Sequence, residues 1–260
     1  MKLAHISTIN SLNQISNKSQ IEFCLLPVLK NKEYKDYFKK IIKEGKYCIG
    51  DNFIAEGNPI PTEKLIKAAL EIKVSELIIP DVIGNYNATK KMREDFLSKY
   101  YEKMKENNIK LMSVVQGKTK EEYKKCFEEI QNDKRIDVIG IPFRLNFKIF
   151  SNKSKELNHM WNRIAFIIML NVQYKKIKPI HLLGCNLVKE LDKLRTFKMI
   201  RSCDSKLISR YSLNNQKVNL QDIEKPKIKL YIDTKLTRKQ IKLAQENIKI
   251  LEKIMKGGNE

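Results

Sequence analysis

The sequence has few of the residues that build metal sites and disulfide frameworks. It contains three histidines and five cysteines, and no two cysteines are closer than 18 residues or form a C-x-x-C pair. This spacing argues against a zinc site and against a set of disulfide bonds. We therefore expect reduced thiols and no bound metal. The cysteines stand at positions 24, 48, 126, 185 and 203.

Long apolar runs are also missing. The longest, residues 164–170, is too short to span a bilayer, and the polar residues 1–20 lack the apolar stretch of a secretory signal. We expect a cytoplasmic protein that does not enter a membrane. A chain of 260 residues, 42% of them hydrophobic, is large enough for one domain with a full core. We predict this domain over residues 1–256, followed by a flexible tail at 257–260.

Negative charge is scarce relative to positive charge. Lys and Arg together number 51 against 30 Asp and Glu, which gives a formal net charge of +21. Such an excess indicates a nucleic-acid partner, because bound cations release the counterions that condense on a polyanion. Only eight of the 51 are Arg, so a coding bias toward Lys, Ile and Asn explains the charge equally well. Charge alone leaves both interpretations open.

Short apolar runs alternate with helical patterns along most of the chain. This alternation is typical of βα units around a parallel sheet whose strands are covered on both faces. The predicted strands are residues 23–29, 47–51, 76–81, 110–117, 137–142, 180–184 and 199–204. Apolar residues at three- and four-residue spacing predict helices at 32–43, 62–73, 88–107, 120–132, 153–175, 187–196 and 236–255.

Seven strands are one short of a (β/α)₈ TIM barrel, which is the α/β fold that we predict. Residues 2–6 and 227–233 are the two candidates for the eighth strand, and the pattern alone does not choose between them. The helix at 236–255 is expected to pack on the barrel wall as an addition at the C-terminus. Residues 205–222 are predicted to form a long polar connection. Thr62, directly after Pro61, is expected to begin its helix as a capping residue.

Polar side chains stand where several predicted strands end. Asp51, Asp81, Gln116 and Asp204 each follow a buried run. Because barrel enzymes carry their chemistry at the carboxyl ends of the strands, we expect these four side chains to converge at one mouth. A single Asp at such a point is more often a turn or a helix cap. Three of them behind apolar runs indicate a site.

The types of these residues suit chemistry on a glycosidic bond. Such chemistry requires two carboxylates, one to attack or stabilise the anomeric carbon and one to move a proton. Asp204 and Asp51 are the candidate pair. Asp81 and Gln116, together with backbone amides at glycines 117 and 140, offer the donors and acceptors that a planar base requires.

Six sequence strings occur in a characteristic order between about residues 23 and 210. They are GDNFIAEG (50–57), LIIPDVIGNYNAT (77–89), VVQGKTKEEY (114–123), VIGIP (138–142), HLLG (181–184) and IRSCDS (200–205). In this order the chain resembles the tRNA-guanine transglycosylase superfamily, and more closely its shorter phage-type and DNA-guanine transglycosylase members. The resemblance also makes residues 2–6 the first strand of the barrel.

The resemblance implies a base exchange that retains the configuration of the sugar. Asp204 would be the nucleophile on C1′ of a guanosine, and Asp51 the general acid and base. Guanine would leave and a 7-deazaguanine such as preQ0 would replace it, without a cofactor. The residues that the resemblance places at the base are Asp81, Gln116, Gly117, Gly140 and Gly184.

Two departures from the family bear on the substrate. Asn52-Phe53-Ile54 follows Asp51, where the tRNA enzymes have Ser-Gly-Gly-Phe, and their Cys-x-Cys-x-x-Cys plus His zinc site is absent. The missing zinc site favours DNA, or an unusual RNA, over tRNA as the acceptor. Three alternatives stay open. They are a zinc-free tRNA enzyme, a non-catalytic nucleic-acid-binding barrel, and a small-molecule sugar or nucleoside hydrolase.

The basic residues predict contacts with nucleic acid, and the family resemblance raises the question of a homodimer. Lys206, Arg210 and Lys217, just past Asp204, are the cations predicted to contact phosphates. Pairing of two subunits into a homodimer is common in the family and stays open here.

Overall fold

A computed structural model describes residues 1–54, 57, 60–147 and 154–257. Its eight strands form one parallel sheet in the order β1-β8-β7-β6-β5-β4-β3-β2, which is that of a nearly closed (β/α)₈ barrel. The predicted fold class is therefore confirmed. The strands are β1 (Lys2–His5), β2 (Glu22–Leu25), β3 (Cys48–Asp51), β4 (Glu76–Ile78), β5 (Lys110–Val114), β6 (Val138–Pro142), β7 (Ile180–Leu183) and β8 (Ile200–Ser205).

The helices of the described residues begin close to the predicted positions. Asn85 and Thr119 cap two of them through their side-chain oxygens, and Thr237 forms a reciprocal capping box with Gln240. None of these helices is both long and apolar enough to cross a membrane. They are α1 (Lys32–Lys43), α2 (Thr62–Ile72), α3 (Tyr86–Glu106), α4 (Lys120–Asn132), α5 (Lys155–Gln173), α6 (Val188–Leu194), α7 (Leu207–Leu213) and α8 (Arg238–Met255).

By their internal contacts, the residues fall into two compact units. The first comprises Met1–Gln20, Lys148–Lys175 and Leu182–Glu260, and the second comprises Ile21–Phe147 and Lys176–His181. In the second unit, Ile49, Leu77 and Ile139 are fully or almost fully buried within their strands, as expected where helices cover both faces of a sheet. The single domain over 1–256 stays a prediction, and the end of the predicted tail, residues 258–260, lies outside the described residues.

The structure assigns the uncertain first strand to the N-terminus. Residues 2–5 form β1, which pairs in parallel with β8 so that Ala4 lies opposite Asp204. The other candidate, residues 227–233, forms no strand. Its one backbone hydrogen bond to a distant part of the described chain joins the Ile9 N–H to the Ile232 carbonyl at 2.8 Å. The place beside β8 that this segment would take as the last strand is occupied by β1.

The predicted polar connection at 205–222 was wrong in part, because it contains helix α7. The helix buries Leu207, Ile208 and Tyr211, and its two buried serines bond to distant residues. Ser209 Oγ donates to the Ile6 carbonyl at 2.9 Å, and Ser212 Oγ accepts from Asn247 of α8 at 3.3 Å. These partners are distant in the chain, so the local sequence looked like a solvated loop.

Two prolines account for further differences at element ends. The strand predicted at 23–29 ends at Leu25, where a 3₁₀ turn begins, since Pro27 has no N–H to continue a ladder. Helix α2 begins at Thr62 as predicted, but Pro61 occupies the capping position and no side chain caps the helix. Thr62 is the first helical residue and not the cap.

Candidate functional site

The second unit brings together the polar residues that follow β3, β4 and β5. These strands pair in parallel, with Gly50 opposite Leu77, so their carboxyl ends lie at the same edge. Asp51 is 9% exposed, while Asp81 and Gln116 are each 3% exposed. Burial of this degree requires that each polar group have hydrogen-bond partners.

Asp81 is held by one side-chain amide on each of its carboxylate oxygens. Asn52 Nδ2 donates to Oδ1 at 2.9 Å, and Gln116 Nε2 donates to Oδ2 at 2.7 Å. Asn52 Nδ2 also donates to the Ile79 carbonyl at 3.1 Å. The predicted association of Asp81 with Gln116 is therefore present. Asn52 is an additional member, and its position directly after Asp51 was the only signal for it in the sequence.

The two glycines near this cluster are required for different reasons, Gly84 by its backbone conformation and Gly117 by packing. Gly84 donates its N–H to Gln116 Oε1 at 3.0 Å, has a φ of +68°, and would bring an added Cβ within 2.4 Å of Asn146 Nδ2. A Cβ on Gly117 would lie 2.9 Å from the backbone nitrogen of Tyr123 in α4. Gly117 thus has a structural reason to lack a side chain that is independent of any ligand.

Gly140 lies inside β6, and it is buried. Its carbonyl accepts from the Val115 N–H at 2.9 Å, so the ladder already uses that acceptor. The contact between Gly140 and a base stays a prediction.

Burial raises the pKa of Asp81 to about 6, and the hydrogen bonds from Asn52 and Gln116 oppose that rise. The carboxyl group is mainly ionised at neutral pH, where it accepts hydrogen bonds only. A buried carboxylate whose pKa lies this near neutrality is a feature of functional sites as well as of strained cores.

The raised pKa of Asp81 makes stability depend on pH. A group whose pKa is higher when folded contributes stability below its unfolded pKa and loses that contribution as the pH rises through the folded value. We expect the unfolding free energy of the parent, relative to Asp81→Asn, to fall by roughly 3 kcal/mol between about pH 4 and pH 6. Urea unfolding of both proteins across this range measures the difference. A difference that does not vary with pH would contradict the shift.

Asp51 ends β3 and turns the chain sharply. Its Oδ2 accepts from the Phe53 N–H at 3.2 Å, and Asn52 Oδ1 accepts from the Ile54 N–H at 3.1 Å. Phe53 has a φ of +63°, a conformation that a bulky side chain rarely adopts and that marks strain. The two carboxyl and amide acceptors hold this turn in place. Of the GDNFIAEG string, residues 55 and 56 lie outside the described residues.

In the first unit, Asp204 contacts the loop after β7. The Gly184 N–H donates to Asp204 Oδ1 at 3.0 Å, and the Cys185 N–H donates to the Asp204 carbonyl at 3.0 Å. Gly184 has a φ of +64°, a value that glycine adopts without strain. Asp204 is 5% exposed. The loop therefore fixes the orientation of this carboxylate.

A buried ion pair supports that loop. Arg163 Nε donates to Glu190 Oε1 at 2.7 Å, and both side chains are 0% exposed. The same guanidinium donates to the carbonyls of Leu183 at 2.9 Å and Gly184 at 3.3 Å. Cys185 Sγ contacts Glu190 Oε2 at 3.0 Å. Sequence reasoning missed the pair because its members lie on helices α5 and α6 with no motif around either.

The three predicted phosphate contacts lie in different surroundings. Lys217 is 67% exposed and pairs with Glu246 at 3.8 Å, whereas Lys206 is half-buried. Arg210 on α7 is half-buried, and its Nε has no hydrogen-bond partner among the described residues. Burial lowers the pKa of Arg210, and the nearby Glu156 carboxylate opposes that shift. These observations leave all three phosphate contacts as predictions.

The described residues contain no group of three or more His, Cys, Asp or Glu side chains that could hold a metal ion. The five cysteines are free and buried. Compared with known proteins, the chain matches no protein-family model and no curated protein. The fold thus defines the class, a (β/α)₈ barrel, with buried carboxylates at the ends of its strands.

Proposed function

We propose that this barrel is a glycosyltransferase that exchanges guanine in nucleic acid, with DNA as the acceptor, for a 7-deazaguanine base. The observation that carries the proposal is the buried Asp81 carboxylate, positioned by the Asn52 and Gln116 amides at the end of a barrel strand. Asp51 is the last residue of β3 and Asp204 the last but one of β8, in the same sheet. The resemblance to guanine transglycosylases agrees with these three positions.

Asp81 and Gln116 suit the hydrogen-bonding edge of guanine. A carboxylate offers about four lone-pair sites, of which Asn52 and Gln116 use one each. The remaining sites accept from the N1–H and the exocyclic amine of guanine. The second N–H of Gln116 Nε2 is available to the guanine O6, which accepts hydrogen bonds. A 7-deazaguanine carries the same edge, so both bases fit.

In the proposed reaction, an Asp204 oxygen attacks C1′ of the guanosine while the bond from C1′ to N9 breaks. Asp51 gives a proton to the departing guanine. It then takes the N9 proton of the incoming 7-deazaguanine, whose N9 attacks C1′ and releases Asp204. Two inversions retain the configuration of the sugar. The Gly184 N–H on Asp204 Oδ1 holds the nucleophile in one orientation throughout.

The acceptor is proposed from charge and from a missing motif. A net charge of +21 favours a polyanionic substrate, to which Lys206, Arg210 and Lys217 supply cations. The missing Cys-x-Cys-x-x-Cys motif favours DNA over tRNA. The target base must leave the helix before its anomeric carbon becomes accessible. Cytoplasmic nucleic acid is the expected pool.

Release of labelled guanine tests the proposal. The protein is incubated with DNA or tRNA carrying labelled guanine, with and without a 7-deazaguanine. We expect release from DNA that requires the added base, and no release from a matched DNA labelled in adenine. Mass spectrometry of the nucleosides identifies the product. Faster release from tRNA would reassign the acceptor, and no release from either polymer would overturn the proposed function.

A further inference from the structure

Residues 225–231 and Arg210 line a cavity that contains none of the residues proposed for catalysis or base recognition. The cavity has a volume of about 500 Å³ and belongs entirely to the first unit. We infer that it binds an unpaired strand of nucleic acid, with phosphates on its cations and a base stacked on Tyr231. Its lining residues are Arg210, Lys225, Pro226, Lys227, Ile228, Lys229, Leu230 and Tyr231.

The lining contains cations and no carboxylate. Lys225 is neutralised by Glu156 at 2.6 Å, and exposed Lys227 is paired with a neighbouring glutamate at 3.2 Å. Among the described residues, Arg210 and Lys229 have no ion pair. The buried Arg210 Nε, which lacks a hydrogen-bond partner, carries a desolvation cost that an anionic ligand would offset. The surplus cations therefore favour a phosphate.

Exposure alternates along this segment. Lys227, Lys229 and Tyr231 are exposed, whereas Ile228 and Leu230 are half-buried. Two of the three exposed side chains are cationic and one is aromatic, and all three line the cavity. The segment therefore offers ammonium groups and a ring within four residues of one another.

Tyr231 supplies the feature that distinguishes a single strand from other anions. Its side chain is 60% exposed, while its backbone N–H and carbonyl are both bonded to Thr234, at 3.0 and 3.1 Å. The ring is thus presented from a fixed turn. Single-stranded nucleic acids bind to surfaces that combine a basic groove with such aromatic platforms, because every base has a face that stacks. An acidic peptide or a free phosphate has no base to stack.

The inference rests on the proposed function for the choice of an unpaired strand, since base exchange requires a base outside the helix. It is nevertheless tested by binding alone. Fluorescence anisotropy with a labelled single-stranded oligonucleotide, its duplex and a polyglutamate competitor measures affinity without turnover. Variants are Tyr231→Ala, Tyr231→Phe and Lys229→Ala. Lys249→Ala on α8, exposed and outside the cavity, is the matched control.

We expect Tyr231→Ala to weaken single-strand binding roughly 5- to 100-fold, while Tyr231→Phe and Lys249→Ala bind like the parent. Lys229→Ala should reduce the slope of log affinity against log salt by about 0.7, the value for one phosphate contact on a single strand. Parent-like binding by Tyr231→Ala, or equal displacement by polyglutamate, would overturn the inference. If the parent binds the single strand as expected but exchanges no base, that result would count against the proposed function and not against this binding site.

Discussion

Asp204→Asn is expected to lower the rate of guanine release by roughly 10⁴-fold or more. The amide cannot form the glycosyl ester on which the proposed exchange depends. Asn keeps an oxygen that accepts from the Gly184 N–H, which lies 3.0 Å from Asp204 Oδ1 in the parent. The fold should therefore survive the substitution. Initial rates of label release, with circular dichroism as the folding check, measure the effect.

A covalent adduct makes this test specific to the nucleophile. The parent, stopped during turnover and denatured, should carry bound nucleic acid, whereas Asp204→Asn should carry none. Asp36→Asn on the exposed face of α1 is the matched control and should behave like the parent. Full exchange activity in Asp204→Asn would remove Asp204 from the mechanism. An adduct would also exclude a barrel that only binds, because binding leaves no covalent bond.

The part of the site closest to prediction was the contact between Asp81 and Gln116. Each side chain follows a nearly continuous apolar run, and consecutive strands of a barrel are neighbours, so periodicity alone placed their ends side by side. The 2.7 Å bond between Gln116 Nε2 and Asp81 Oδ2 agrees with that reasoning. The orientation of Asp81 could not be predicted, because it depends on the Asn52 amide, which sequence reasoning treated as a departure from the family.

What the sequence could not reveal depends on contacts between distant residues. Helix α7 buries Leu207, Ile208 and Tyr211 together with Ser209 and Ser212, whose hydroxyls bond to residues far away in the chain. Nothing local distinguishes such serines from those of a solvated loop. Exposed and half-buried side chains do alternate over residues 227–231, as in a strand. That segment forms no ladder, however: as the last strand it would have to pair with β8, and β8 already lies between β7 and β1. Tertiary context decided both cases.

Arg163→Met is expected to lower the unfolding free energy by about 3–5 kcal/mol, because it leaves the buried Glu190 carboxylate without its partner. The substitution also removes the donors to the Leu183 and Gly184 carbonyls. Urea unfolding measures the loss. The control, Arg195→Met, breaks an ion pair that is 28% and 30% exposed and should cost under about 1 kcal/mol. Equal losses in the two variants would contradict a dominant role for the buried pair.

The double variant separates stability from positioning. Arg163→Met combined with Glu190→Leu removes both buried charges and should recover much of the lost stability, since apolar replacement of a buried pair is often nearly neutral. It should not recover exchange activity. The Gly184 carbonyl would still lack the guanidinium that holds the loop, and the Gly184 N–H orients Asp204. A lowered kcat in a stable double variant is therefore expected, because the orientation of the nucleophile is disturbed. Recovery of full kcat along with stability would mean that the pair only stabilises the fold.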